Sequence, residues 1–254
     1  LKAGREVGKE VKRLHLTLSD KSTLLPDNQN TRSVAKTLRD EGICLKTAST
    51  CDDVGVQMSG SGVRKASSLN FRIEAKGADR AKRTRALVVI NPSATKLTMS
   101  GTHPTQAYGH QAQGASEHQM IGMRKNIKNT TAFAGTYACT TTVIAWKFGP
   151  NSDPLVKCPL EQIDALVQAW TEITATDRHD ARVSWQRHLT SFLSTKIFLV
   201  SMGPAAATIN ALLRAGWKPA RPDLWKVEEG LNVEVSKHPF ARFQIQARAH
   251  HDLQ

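Results

Sequence analysis

Eight cations and two carboxylates fall within the 22 residues from Arg64 to Arg85. So dense a charge run must keep most of its surface in water, because unpaired charges are very costly to bury. Wound as an α-helix over residues 64–87, it places Lys65, Arg72, Lys76, Arg80 and Arg83 within a band of about 80°. Ala66 and Ile73 fall beside that band and are expected to face a core. Gly77 sits inside the helix and weakens it by about 1 kcal/mol relative to Ala. The stretch reads either as a solvated basic face or as a stripe that tracks phosphates.

The charge around this stretch is one-sided. The 254 residues carry 35 Lys+Arg against 22 Asp+Glu, a net +13. Residues 1–150 hold 23 and 11 of these, whereas residues 151–254 hold 12 and 11. Nearly all the excess therefore lies in the N-terminal part, which points to a polyanion partner, most often nucleic acid. Hydrophobic residues at 40 % and charged residues at 22 % are ordinary for a globular chain. They exclude a collagen-like, mucin-like or wholly disordered one. The longest apolar runs, such as Ala86–Ile90 and Ile197–Val200, fall far short of the roughly 20 residues a membrane-spanning helix needs. No membrane partner is expected. Leu1 stands where an initiator Met would, and no apolar leader follows, so the chain reads as a fragment without a secretory signal. Cys44, Cys51, Cys139 and Cys158 are too sparse for a disulfide framework and never form a C-x-x-C pair. An intracellular setting, nuclear or cytoplasmic, follows.

Hydrophobic periodicity predicts an α+β beginning and a mostly helical remainder. Residues 5–14 read as the end of an amphipathic helix, Leu14–Leu18 as a strand, and Thr23–Leu25 as a second short strand. A helix over 33–41, capped by Thr31 or Ser33, precedes Gly42. Strands are expected at Ile43–Lys46 and Val54–Met58, with Asp52 and Asp53 in a turn before the latter. Beyond the basic helix, Gly101–Pro104 and Tyr108–Gly109 read as breaks, and Ser116 opens a helix to about Asn126. Helices are expected over 160–174, 181–194 and 204–215, then a hairpin over 224–235. Pro150–Pro159 is the expected linker. The five tryptophans, Trp146, Trp170, Trp185, Trp217 and Trp225, have the chemistry to stack bases, but Trp170 on an apolar helical face and Trp225 in a hairpin favour core packing.

Motifs of catalysis are scarce. There is no Walker loop, H-E-x-x-H, G-x-S-x-G or G-x-G-x-x-G. His103, His110 and His118 recur at near-helical spacing, but Pro104 and Gly109 argue against their sharing one face, so no metal site is expected. The adjacent Asp52 and Asp53 invite comparison with two-metal polymerase sites, yet no further Asp lies upstream in a suitable strand.

The order of four weak motifs carries a resemblance. The segment Leu14–Thr23 is similar to an L-x-L-N-x-x-K-T pattern, with Ser19 where Asn is usual and Lys21 at its lysine. Residues Thr50–Val56 resemble an F-x-Y/D-L-G-V turn, with Val54 in place of Leu. The basic stretch follows, and then Thr102–Gly109 resembles L-x-P-x-x-x-Y-G. Together, over about residues 10–126, they resemble the reverse transcriptases of non-LTR (LINE-type) retrotransposons, from the end of the palm through the thumb.

That resemblance implies a small antiparallel palm-end sheet at 1–62, a basic thumb-like helical region at 63–150, and a helical extension with a hairpin at 151–254. Lys21 would sit near the incoming triphosphate as proton donor to the leaving group. Asp53, Val54, Gly55 and Val56 would form the primer-grip turn. Lys65, Arg72, Lys76, Arg80 and Arg83 would contact the phosphates of an RNA and DNA template–primer, and Tyr108 would pack behind the thumb. The catalytic aspartates of the family lie upstream of these motifs. The fragment would therefore carry no cofactor and no activity alone; Mg²⁺ belongs to a full-length polymerase, and the upstream palm of the same polyprotein would be a partner. Two other readings stand beside this one: a basic α+β nucleic-acid-binding module unrelated to polymerases, and a helical protein-interaction module.

Overall fold

The structure is a computed structural model that describes residues 2–14, 23–24, 31–43, 46–48, 50–53, 56–59, 67–192, 203–226 and 232–234. It divides into two units, Leu1–Lys65 and Ala66–Gln254. In the first, helix α1 (Lys2–Arg13) is followed by β1 (Thr23–Leu24), α2 (Thr31–Asp40) and β2 (Lys46–Thr47). Strands β1 and β2 pair in parallel, with α2 as the crossover between them. This corrects the expectation of a purely antiparallel sheet. Gly42, at φ 76°, ends α2 where a residue with a side chain would be strained. Just beyond it, buried Ile43 lies so close to Gly8 that a Cβ there would stand 2.3 Å from its Cδ1. Arg5 on α1 bonds the Glu41 carboxylate through Nε at 2.8 Å.

Strand β3 (Thr50–Asp53) pairs antiparallel with β4 (Val56–Ser59), Asp52 opposite Gln57 and Asp53 opposite Val56. Asp52 and Asp53 thus belong to a strand rather than to the turn expected there. The reason is that a two-residue connection after Asp53 lets the strand run up to it. Of the strand expected at Leu14–Leu18, Leu14 instead closes α1, its N–H donating to the Glu10 carbonyl at 2.9 Å, and residues 15–18 lie outside the described residues.

The second unit is almost entirely helical. Helix α3 (Ser67–Phe71) runs through a π turn (Arg72–Gly77) into α4 (Ala78–Ile90). Asn91, whose side chain accepts from Ser93 N–H at 3.0 Å, stops α4 and caps a 3₁₀ turn over Pro92–Lys96. A second π turn (Thr98–Thr102) continues into α5 (His103–Ala107). Gly101–Pro104 is therefore helical, not a break. In an α-helix the Pro104 ring would clash with the carbonyl four residues back; the wider π turn relieves that conflict. The chain does break at Gly109, at φ 81°, before α6 (His110–Gln113).

Helix α7 (Glu117–Asn129) opens with a capping box in which Ser116 and Gln119 satisfy each other's backbone N–H. Helix α8 (Thr140–Phe148) leads through a 3₁₀ turn to α9 (Pro154–Glu172). Asp153 caps α9 and Pro154 is its first residue, so the segment expected as a linker is mostly helix. Helices α10 (Ala175–Phe192) and α11 (Gly203–Arg214) follow, then an antiparallel sheet of β5 (Lys218–Arg221), β6 (Leu224–Lys226) and β7 (Asn232–Glu234) in that order. The β6–β7 hairpin agrees with the sequence pattern; β5 was not expected.

Two cores form in this unit, and α9 faces both. Cys158 joins Leu69, Ile73, Ala107, Met120 and Met123 in one. Val156, Leu160 and Ile163 join Trp185, Ile209, Leu212, Trp217 and Trp225 in the other. Trp170 is also buried, but Trp146 is 67 % exposed, against the core assignment. The helical part and three-stranded sheet agree with an α+β chain.

Gly77 is buried and packs closely against the neighbours of the basic helix. A Cβ there would lie 2.9 Å from Gln106 Oε1, 3.0 Å from the Arg72 carbonyl and 3.0 Å from Asn126 Nδ2. Overpacking of about 1–3 kcal/mol should outweigh the helix-propensity gain of about 1 kcal/mol. Gly77→Ala is expected to lower the thermal midpoint by about 2–4 °C in calorimetry, roughly 1 kcal/mol; a raised midpoint would show the helix free of its neighbours.

Candidate functional site

The π turn determines where the basic side chains point. It shifts the helical register between α3 and α4, so backbone bonding alone does not hold it. Three buried amide side-chain contacts do. Asn126 Nδ2 donates to the Ile73 carbonyl at 2.8 Å and to Gln106 Oε1 at 3.0 Å, and Gln106 Nε2 donates to the Met123 carbonyl at 3.2 Å. Ile73 is buried, as its position beside the basic band suggested. The face opposite carries the charge.

On that face Arg72, Lys76, Asp79, Arg80 and Arg83 form one wall of a groove of about 550 Å³, and Pro104, Thr105 and Tyr108 from α5 and its end line the rest. The Arg72 guanidinium lies over the Tyr108 ring, 4.7 Å from its centroid. Lys76 Nζ lies 5.6 Å from the centroid of Phe71. Both are cation–π distances. Arg80 Nη1 reaches the Gly101 carbonyl at 3.4 Å. Asp79, the one carboxylate among the lining residues, pairs with Arg83 one turn on. Both are largely exposed, and such a pair contributes little to stability. Three cations against this neutralised pair leave the groove strongly positive. An anionic oxygen would meet planar guanidinium forks, whose geometry matches phosphate.

Four of the residues singled out in the sequence, Arg72, Lys76, Arg80 and Arg83, are thus brought together. Lys21, Val54, Gly55 and Lys65 lie outside the described residues. Asp53 ends β3 and Val56 begins β4, in the first unit. Tyr108 is a correction: it is 44 % exposed and lines the groove rather than packing behind it. Its signal in the sequence was Gly109, whose turn projects the preceding residue out of α5. Asp79 and Thr105 were also missed; the i,i+4 spacing of Asp79 and Arg83 was the available clue.

The histidines separate. His118 is exposed, whereas His103 and His110 are buried. His110 Nδ1 faces the Ala107 carbonyl at 2.5 Å, and its Nε2 lies 3.2 Å from Glu161 Oε2, close enough for an ion pair but poorly aligned for a hydrogen bond. Burial opposes charge on His110, but the Cys158 sulfur and the Glu161 carboxylate outweigh it and raise its pKa. Burial, reinforced by the Lys157 charge, lowers His103 to about 4. Among the described residues no three His, Cys, Asp or Glu are placed to hold a metal ion. No family model, curated protein or solved structure matches the chain.

The buried His103 makes stability pH-dependent. Its folded pKa is below the ordinary 6.5, so the unfolded chain takes up the proton first, and stability is lost as pH falls from 6.5 towards 4. His188, also lowered by burial, adds in the same sense. His110, raised, has its full effect below 6.5 and loses it progressively as pH rises from 6.5 towards about 10; Glu161, lowered, loses its effect only as pH falls below about 4.5. Unfolding free energies from urea titrations are expected to fall across pH 6.5 to 4.5, by on the order of 2 kcal/mol, and His103→Leu should flatten that decline. An unchanged decline in the variant would assign the titration elsewhere.

Proposed function

We propose that the second unit binds the phosphate backbone of nucleic acid in the groove of Arg72, Lys76, Arg80 and Arg83. The observation that carries this reading is the convergence of four cations on one groove whose single carboxylate is already paired. Backbone contacts of this kind position a duplex without reading its sequence. Arg72, seated on Tyr108, keeps its fork oriented before any ligand arrives, which limits the ordering entropy of binding.

The motif order favours a specific form of the proposal: the unit acts as the thumb of a non-LTR reverse transcriptase and holds the template–primer, RNA and DNA, behind the growing end. In that form Lys21 and the Asp53–Val56 segment serve the triphosphate and the primer end, and the chemistry belongs to the upstream palm. A basic module unrelated to polymerases would use the same groove. The described residues contain no helix long and apolar enough to cross a membrane.

The test is fluorescence anisotropy of a short RNA–DNA hybrid across a salt series. Wild-type log affinity should fall steeply with log salt. In Arg72→Ala/Lys76→Ala/Arg80→Ala/Arg83→Ala the slope should drop by up to about 3 to 4 units, roughly 0.9 for each phosphate no longer neutralised. Affinity at low salt should fall at least tenfold. Equal binding by both proteins would defeat the reading. The exposed apolar end of α4, with Val89 at 79 % and Ile90 at 83 % exposure, would then make a protein-interaction module the better account.

A further inference from the structure

A second surface of this unit has the chemistry to take unpaired bases. Between Glu117 and Asp153 there is no carboxylate, but there are four cations, Arg124, Lys125, Lys128 and Lys147. Four aromatic residues, Phe133, Tyr137, Trp146 and Phe148, occupy the same segment. Trp146 on α8 is 67 % exposed while Trp170, Trp185, Trp217 and Trp225 are all buried. Phe133 packs against it, ring centroids 5.7 Å apart and planes inclined at 56°. Lys147 Nζ lies over the Trp146 ring at 4.2 Å. Tyr137, between α7 and α8, is fully exposed.

The loop that presents Tyr137 is held on both sides. Lys128 Nζ donates to the Thr136 carbonyl at 2.7 Å and to the Ala138 carbonyl at 2.8 Å. Thr136 Oγ1 donates to the Phe133 carbonyl at 2.7 Å and accepts from the Ala138 N–H at 3.3 Å. An aromatic ring exposed to water on an untethered loop would be ordinary. Here a lysine clamps the backbone on both sides of Tyr137, and a second aromatic residue with its own ammonium stands on the following helix. Exposed rings interleaved with cations, in a segment that itself carries no carboxylate, are the combination that binds single strands by stacking.

We infer that Tyr137 and Trp146 form a stacking platform for the bases of single-stranded nucleic acid, with Lys125 and Lys147 meeting its phosphates. This surface is distinct from the groove and shares with the proposed function only the class of partner. It would take an unpaired strand where the groove takes a backbone.

The experiment compares a 12-residue oligothymidylate with an abasic strand of the same length and phosphate number, each titrated against the full chain. It uses the wild type, the quadruple groove variant, and Tyr137→Ser/Trp146→Leu. Base stacking should make the oligothymidylate bind at least about fivefold more tightly than the abasic strand and quench tryptophan emission. The preference should persist in the groove variant and vanish, with the quenching, in the aromatic variant, whose circular dichroism should match wild type because both side chains are exposed. Equal binding of the two strands by wild-type protein overturns the proposal, whether or not the groove binds duplex. So does a base preference that survives in the aromatic variant. Concentration-dependent dimerisation abolished by Trp146→Leu, without base preference, would assign the patch to a second copy and likewise overturn it.

Discussion

Helix α9 is buried along two faces, and both cores of the larger unit are built against it. Cys158 completes one core; Val156, Leu160 and Ile163 complete the other. A helix in that position must start at a fixed place, and its first turn is anchored twice. Asp153 accepts from the Leu155 N–H at 3.0 Å, and its other oxygen takes Arg124 Nε at 3.0 Å. Asp153 is almost wholly buried, so this pair is strongly coupled to the fold: removing either partner leaves an uncompensated charge inside. Through Arg124 the cap of α9 also holds α7, the helix that supports the π turn. The groove therefore depends on the packing of α9 although it shares no residue with it.

Concentrating cations on one helical face is unfavourable in isolation, since like charges one turn apart repel. Several features of the unit offset this. Asp79 pairs with Arg83, Arg72 and Lys76 lie against aromatic rings, and Arg80 reaches a carbonyl. The opposite face supplies the stability, with Ile73 and Gly77 buried beneath an amide network. A surface organised in this way is held in place by its underside, with its charge on the opposite face.

Much of the helical layout was legible in the chain. Ser116 followed by Gln119 marks an N-terminus, and Gly42, Gly109 and Gly216 all take positive φ where helices end. The alternation of Leu224–Lys226 and Asn232–Glu234 yields paired strands. The basic residues that line the groove were legible too, because helical spacing survives a single π turn well enough to keep them on one side. Proline was the misleading signal. Pro104 and Pro159 both lie within helices, one relieved by a π turn and the other held by burial among α9's neighbours. Trp146 was assigned inward because aromatic residues are usually buried, and Tyr108 because the resemblance places it behind the thumb; the turn at Gly109 was the local clue to Tyr108, and Trp146 had none.

What the sequence determined by itself follows from local chemistry: charge distribution, caps, glycine turns and the period of apolar residues, each of which acts over one or two turns of chain. What tertiary structure decided needed partners distant in sequence. The groove exists because α5 returns to the basic helix some 25 residues later and because Asn126, 53 residues from Ile73, completes the π turn. The exposure of Trp146 is likewise a matter of which neighbours arrive. Hydrogen bonds and burial of that kind are set by how helices pack, and no pattern along a single helix encodes the packing of another.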